Sequence, residues 1–213
     1  MHSERLGPMK RIPLLPILLL AFALAAGCGV KEGTVRNEEF LQKKGQGAWK
    51  SIAVLPFTGP PEHARVFSEY FSVQLLRQHH YVIISPAIAE IELKKKGPLL
   101  SKGIRNVQEA REAGRLLDAD AVIMGSVGQD YSFQLAHGEG IIKTKLIDTA
   151  TGELVVDITR ASPVIFTNDQ HRHLTAATED AAADMLSLLR LLSGEIVSAP
   201  AGTGQKERQD RVP

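Results

Sequence analysis

Few side chains in this chain of 213 residues are placed to do chemistry. The single cysteine, Cys28, stands directly after an apolar run, where its thiol could be modified covalently. Asp118 and Asp120 lie two residues apart between a predicted helix and a predicted strand, and paired carboxylates can act as general acid and base. Ser126 offers a hydroxyl, and seven histidines could bind a metal ion. Each of these groups could also have a purely structural role.

The acidic pair and the serine do not fit a catalytic pattern. Helix-to-strand connections commonly carry Asp, so Asp118 and Asp120 are predicted to be structural. Ser126 lacks the GxSxG frame of a nucleophile elbow. The surrounding GSVGQD, residues 125 to 130, lacks the GxGxxG and GK[ST] patterns and leads into another strand, so we interpret it as a bulge or turn. We therefore predict no catalytic residue and no cofactor. An enzyme would require convergent polar side chains in a closed pocket.

The histidines are scattered along the chain. His79 and His80 are adjacent, and His171 and His173 are two residues apart near the start of a predicted helix, where side chains at that spacing point to different sides. Zinc sites on helices use a spacing of three or four residues with further ligands nearby. We therefore predict solvated histidines and no metal site.

The N-terminal 28 residues have the pattern of an export signal. Lys10 and Arg11 precede an apolar run that ends in Ala25-Ala26-Gly27, immediately before Cys28. This run is shorter than the roughly 20 apolar residues of a membrane-spanning helix, and it carries Pro13 and Pro16. A chain that began at Met9 would open with a compact conventional signal, so we expect Met9 to be the initiator.

The small residues before the cysteine resemble the lipobox of bacterial lipoproteins. The resemblance implies cleavage after Ala25, Ala26 and Gly27, with Cys28 as the first mature residue and the site of acylation, including palmitate. The position three before the cysteine usually holds Leu, and here it holds Ala25. Each buried methylene of the acyl chains contributes about 0.8 kcal/mol to membrane binding. The alternative is that Cys28 is simply a small buried apolar residue.

Composition excludes several classes of partner. The first 27 residues hold three of the 25 Lys and Arg and one of the 24 Asp and Glu, which leaves 22 against 23 in the rest of the chain. A balance so close to neutral does not indicate nucleic acid or a strongly charged partner. Aromatic residues make up only 5%, which argues against a base-stacking platform. If Cys28 carries lipid, the mature domain has neither a disulfide nor a free thiol.

Hydrophobic periodicity predicts an α/β fold with a single mixed sheet and helices packed on it. Three continuous apolar runs are typical of buried strands, and between them the period changes to that of amphipathic helices. Glycine-bearing turns then separate shorter runs, which predicts an antiparallel meander before a long C-terminal helix. Gly114 would allow its helix to approach the sheet closely. The predicted strands are 51–57, 81–85, 121–127, 131–136, 141–148 and 153–162, and the predicted helices are 62–79, 86–96, one capped by Asn106, and 169–192.

The same reading divides the chain into four parts. Residues 1 to 27 form the signal peptide, and residues 28 to 50 are polar without periodicity, which predicts a flexible tether between lipid and domain. Residues 51 to 194 form the α/β domain. Residues 195 to 213 are polar and are predicted to be a disordered tail.

The order of these pieces resembles a known family. IAVLPF at 52 to 57, LLDADAVIMGSV at 116 to 127 and KLIDTATGELV at 145 to 155 are together similar to the envelope lipoprotein superfamily typified by the curli secretion component CsgG, which includes GNA-type lipoproteins. Penicillin-binding-protein activator lipoproteins and the N-terminal domain of the Tol-Pal periplasmic protein are more distant relatives. The resemblance covers residues 50 to 192.

This resemblance implies a periplasmic α/β domain, anchored by lipid at the outer membrane, that binds and assembles other proteins and is not an enzyme. A curli-type pore inserts long hairpins into the membrane, with about 9–11 residues in each strand. The candidate hairpins here, around Gly138-Glu139-Gly140 and Thr151-Gly152, are short and charged by their sequence pattern. We therefore do not expect this chain to form a channel on its own.

Two functional hypotheses follow. The first is a non-enzymatic assembly or accessory component of an envelope or secretion complex, and the alternative is a regulator that binds and activates a peptidoglycan synthase. The expected partners are the membrane, through lipid on Cys28, other envelope proteins, and further copies of the chain in a homo-oligomer, but not nucleic acid. Gly29 stands where an Asp would mark inner-membrane retention, so we expect sorting to the outer membrane, facing the periplasm.

Overall fold

The computed structural model describes residues 32–44, 49–77, 79–96, 104–132, 137–164 and 170–194. They form the predicted α/β architecture, a single mixed sheet of six strands with helices packed on it. In chain order the elements are β1 (Gly33–Arg36), α1 (Glu38–Lys44), β2 (Ser51–Val54), α2 (Pro61–Leu75), β3 (Val82–Ile84), α3 (Pro86–Lys96), α4 (Val107–Leu117), β4 (Ala121–Ser132), β5 (His137–Asp148), β6 (Leu154–Val164) and α5 (Gln170–Ser193).

The sheet has a parallel part and an antiparallel part. Its strand order is β1-β6-β5-β4-β2-β3. Strand β2 pairs in parallel with both β3 and β4, and helices make the crossover connections, as parallel strands require. Strands β4, β5 and β6 form the predicted antiparallel meander. The predicted order β-α-β-α-α-β, followed by an antiparallel meander and a C-terminal helix, is therefore confirmed.

The two faces of the sheet are covered differently. On one face, α2 and α5 bury a large apolar core in which Phe67, Phe71 and Leu188 lie over Ile123 and Ile158. On the other face, α3 and α4 form a smaller core over β2 and the adjoining ends of β4 and β5. Among the described residues, no helix forms a core over the rest of this second face.

The alternation along β5 follows this difference. Ile142, Thr144 and Leu146 are fully buried beneath the larger helical layer. Lys143 is exposed and Lys145 is half-buried on the opposite face. The prediction that one side of this strand meets solvent is therefore confirmed.

The segment predicted to be a flexible tether, residues 28 to 50, is partly folded. Residues 33 to 36 form β1 and residues 38 to 44 form α1. The prediction missed them because β1 is short and mostly exposed, so it lacks a clear alternation of apolar and polar residues. Its strand character depends on pairing with β6, which is remote in sequence.

Strand β4 is longer than predicted. The sequence pattern ended a strand at Val127, placed a bulge or turn over 125–130 and began a new strand at Tyr131. The pairing with β5 instead runs without a break from Ala121 opposite Asp148 to Ser132 opposite His137. Continuous pairing with β5 outweighs the low strand propensity of the glycines in this stretch. The first hairpin is therefore not short, since each of its strands has 12 residues.

The start of α4 is capped by Asn106, as predicted, and Glu109 completes a capping box. The Asn106 side chain accepts a hydrogen bond from the Glu109 backbone N–H at 2.9 Å. The Glu109 carboxylate accepts the backbone N–H of Arg105 at 2.8 Å, one residue before the cap. That backbone hydrogen bond lowers the pKa of Glu109.

Helix α2 ends at Leu75, earlier than the predicted His79.

Gly114 allows α4 to approach the sheet, as predicted. A Cβ at this position would lie 2.5 Å from Thr149 Oγ1 and 2.8 Å from Val122 Cγ1. We expect Gly114→Ala to lower the free energy of unfolding by about 1–2 kcal/mol, because overpacking exceeds the gain in helix propensity. Urea unfolding would measure this change. Gly128→Ala is the control, because a Cβ there meets open space, and an equal loss in both variants would contradict the packing explanation.

Tyr81 gives the fold a pH dependence at high pH. Its buried hydroxyl donates to the Leu189 carbonyl at 3.0 Å, and burial raises the pKa of Tyr81 to about 12. Because the folded pKa lies above the unfolded value near 10, this stabilisation is complete below pH 10 and disappears as pH rises toward 12. We expect Tyr81→Phe to cost about 1 kcal/mol at pH 7. In urea unfolding, the difference from wild type should shrink above pH 10, and a constant difference would contradict this assignment.

Candidate functional site

The N-terminal strap, which we define as residues 33–44, is attached to the antiparallel edge of the sheet. Strand β1 pairs antiparallel with β6, from Gly33 opposite Thr159 to Arg36 opposite Val156. A polar network reinforces this pairing. Thr34 Oγ1 donates to the Asp184 carboxylate at 3.2 Å and accepts from Arg160 at 3.0 Å, while Arg160 forms an ion pair with Asp184. The network joins β1, β6 and α5.

The second half of the strap is held by its cap and by an aromatic contact. Asn37 caps α1 by accepting the Phe40 N–H at 3.0 Å, and its own N–H donates to the Val155 carbonyl at 2.9 Å. Phe40 and Trp49 are both only 5% exposed, and their ring centroids lie 6.0 Å apart. The strap is therefore part of the folded core. The aromatic residues Phe40, within the strap, and Trp49, just after it, were the signal that the sequence offered.

Trp49 is further fixed by a fully buried carboxylate. Its indole N–H donates to Asp148 Oδ2 at 2.9 Å. The other oxygen of Asp148 accepts the Thr151 N–H at 2.8 Å and the Thr151 hydroxyl at 3.0 Å. The Asp148 carboxylate thus holds both the β5–β6 turn and Trp49, which lies shortly before β2, so its role is structural.

The part of the sheet without a helical cover forms an open face, which we define as Met124, Ser126, Lys143, Lys145, Asp157 and Thr159. A groove of about 380 Å³ lies between this face and the start of α4. Lys145 forms an ion pair with Asp157 at 3.0 Å across the two strands. The remaining cation, Lys143, is exposed. A mixed apolar and charged surface of this kind can bind a partner.

The predicted acidic pair serves the fold. Asp120 Oδ2 accepts the backbone N–H groups of Lys50 at 2.7 Å and Ser51 at 3.0 Å, and it also accepts the Ser51 hydroxyl. Asp118 ends α4 in the left-handed conformation, with φ of 55°. Both residues line an open depression of about 430 Å³ beside Trp49. The contacts of Asp120 are those of a structural carboxylate, and the backbone of Asp118 ends the helix.

Two histidines that are far apart in sequence come together. The ring centroids of His63 on α2 and His171 on α5 lie 5.6 Å apart, and both rings contact Phe67. Sequence spacing could not reveal a pair formed by two different helices. Within the described ranges, no group of three or more His, Cys, Asp or Glu side chains is arranged to hold a metal ion.

The predicted anchor lies outside the described residues. Ala25, Ala26, Gly27 and Cys28 all precede residue 32, so the cleavage and acylation sites stay predictions. The predicted tail, residues 195 to 213, also falls outside them. No helix in the described part of the chain is long and apolar enough to cross a membrane.

No protein-family model matches this chain, and no curated protein matches it. Solved structures with a similar arrangement include bacterial lipoproteins. The lipoprotein GNA1162 from Neisseria meningitidis is 16% identical, with 63% of this chain and 99% of that chain covered and a TM-score of 0.44. A PelC dodecamer from Paraburkholderia phytofirmans is 16% identical, with 77% and 95% covered and a TM-score of 0.41. The C-terminal domain of LpoB from Escherichia coli is 14% identical, with 60% and 91% covered and a TM-score of 0.39. Likeness at this level does not assign a function.

The polar network of the strap gives a direct test of its attachment. Asp184→Ala would leave Arg160, whose side chain is 20% exposed, without its carboxylate partner. We expect a loss of about 1–2 kcal/mol in the free energy of unfolding, measured in urea, because a charge-assisted hydrogen bond is removed. Asp180→Ala is the matched control, an exposed Asp on the same helix one turn earlier. Equal stability of the two variants would show that the network does not hold the strap.

Proposed function

We infer that this chain is a lipid-anchored lipoprotein of the outer membrane that faces the periplasm and acts as a non-enzymatic accessory component of an envelope or secretion complex. The observation that carries the proposal is the apolar run that ends in Ala25-Ala26-Gly27-Cys28, followed within a few residues by a folded domain. The proposal places the protein in the CsgG-like superfamily, with the division into signal, domain and tail given above.

The roles of the polar side chains support a binding function. Asp120 and Asp148 hold backbone and indole N–H groups, and Asp184 holds the strap. These carboxylates are engaged in maintaining the fold. The open face, in contrast, presents Lys143 and the groove beside it to solvent, and so offers a surface to a protein partner.

Acylation of Cys28 is the first test of this proposal. We expect mass spectrometry of the protein extracted from membranes to show a chain that starts at Cys28 and carries acyl groups. Cys28→Ala should lose both the acylation and the cleavage, because the modified thiol is the substrate feature that both steps require. Cys28→Ser is a second variant for the same test, since it replaces only the thiol and nearly keeps the size and polarity of the side chain. Wild-type protein with residues 1 to 27 intact and no acyl group would refute the proposal.

The class of partner can be tested by site-specific photo-crosslinking in intact cells. A crosslinker at Lys143 probes the open face, and one at Glu153, which is exposed in the β5–β6 turn, is the control. Capture of secretion or assembly proteins at Lys143 alone is the expected result. Capture of a penicillin-binding protein would favour the regulatory alternative.

A further inference from the structure

The strap shortens the link between the proposed lipid and the folded domain. The predicted tether ran from Cys28 to the start of β2, a span that could reach about 80 Å when fully extended. The chain is instead already attached to the sheet at residue 32, where the Glu32 carboxylate accepts the Ala161 N–H at 3.0 Å. Only four peptide steps separate Cys28 from Glu32, so the acylated residue lies within about 14 Å of it.

The direction of the strap shows at which end of the sheet the short link from Cys28 enters the domain. Strand β1 runs antiparallel to β6, and Gly33 lies opposite Thr159. Because Glu32 reaches Ala161, two residues further along β6, the chain approaches from the end where β6 finishes. The β4–β5 hairpin closes at this same end, where Ser132 pairs with His137. The β5–β6 turn, residues 149–153, lies at the opposite end.

The reach of the link matches the length of this hairpin. Ala161 lies opposite Ile141, which lies opposite Gly128. From this row, β4 continues for four more residues to Ser132, which is about 13–14 Å at the rise of an antiparallel strand. A lipid on Cys28 can therefore extend about as far as the paired end of the hairpin, and little further.

From these two lengths we propose that the domain lies directly on the bilayer that holds its lipid, with the paired end of the β4–β5 hairpin at the lipid headgroups and the β5–β6 turn pointing away. This inference rests on the proposed acylation of Cys28. The surface that meets the membrane is the end of the sheet marked by the Ser132–His137 pair. The domain then stays at the membrane surface and does not range across the periplasm on a long tether.

Depth-dependent fluorescence quenching tests this orientation in the acylated full chain, reconstituted in vesicles that carry nitroxide-labelled headgroups. Single cysteines at Ser132, Val35 and Ala150 would each carry one fluorophore, since an acylated Cys28 has no free thiol. Val35 is 71% exposed on β1, and Ala150 is exposed in the β5–β6 turn. We expect quenching to decrease in the order Ser132, Val35, Ala150.

A spacer variant supplies the matched control for the short link. A flexible Gly/Ser segment can be inserted between Gly29 and Val30, with the length of the tether that the sequence predicts. This insertion should reduce quenching at Ser132 to the value found at Ala150. Unchanged quenching after the insertion would overturn the proposal, because the short link would not be what holds the domain down.

The other outcomes are also decisive. Strongest quenching at Val35 would place the β1 edge on the bilayer, and strongest quenching at Ala150 would reverse the orientation, so either result overturns the proposal. Absence of quenching at all three positions, in protein whose mass shows acylated Cys28, would mean that the domain stands away from the membrane. In that case the proposed function survives and only this inference fails. Unacylated protein would refute both.

Discussion

The pairing of β1 with β6 determines where the chain enters its folded domain. Without it, the polar residues that follow the predicted lipidation site would be a long and unconstrained connection. With it, Thr34 joins Asp184 and Arg160, and the backbone of residues 33 to 36 completes the antiparallel edge of the sheet. The later part of the strap then brings Phe40 into the main core. A single edge pairing thus connects the predicted signal sequence, the proposed orientation of the domain and the stability of the fold.

The uneven cover of the sheet gives the domain two distinct surfaces. One face serves the stability of the fold. There, α2 and α5 bury the apolar side chains of β2, β4, β5 and β6 in the larger core. The other face is covered by α3 and α4 only near the parallel strands. Lys143, Lys145 and Asp157 lie on the uncovered part, where opposite charges on neighbouring strands keep the surface polar without a strong net charge. This division leaves one part of the sheet open to solvent.

Much of the fold could be predicted from the sequence because its signals are local. Continuous apolar runs indicated the buried strands, Asn106 and Glu109 indicated the start of α4, and Gly114 indicated close packing of that helix on the sheet. Most of the missed features depend on the partner with which a segment pairs. Strand β1 requires the distant β6, the extension of β4 beyond Val127 requires β5, and the contact of His63 with His171 requires two helices to cross. Local patterns carry no information about such pairings.

The central claim is that the chain is part of the fold from β1 onward. Native-state hydrogen exchange of the Val35 and Asn37 backbone amides tests it most directly, since the Asn37 N–H donates to Val155 and alternate residues of an antiparallel strand direct their N–H groups at the partner strand. The account predicts that these amides exchange far more slowly than an unstructured peptide and share the protection of β6. Exchange at the rate of an unstructured chain, with β6 still protected, would contradict it.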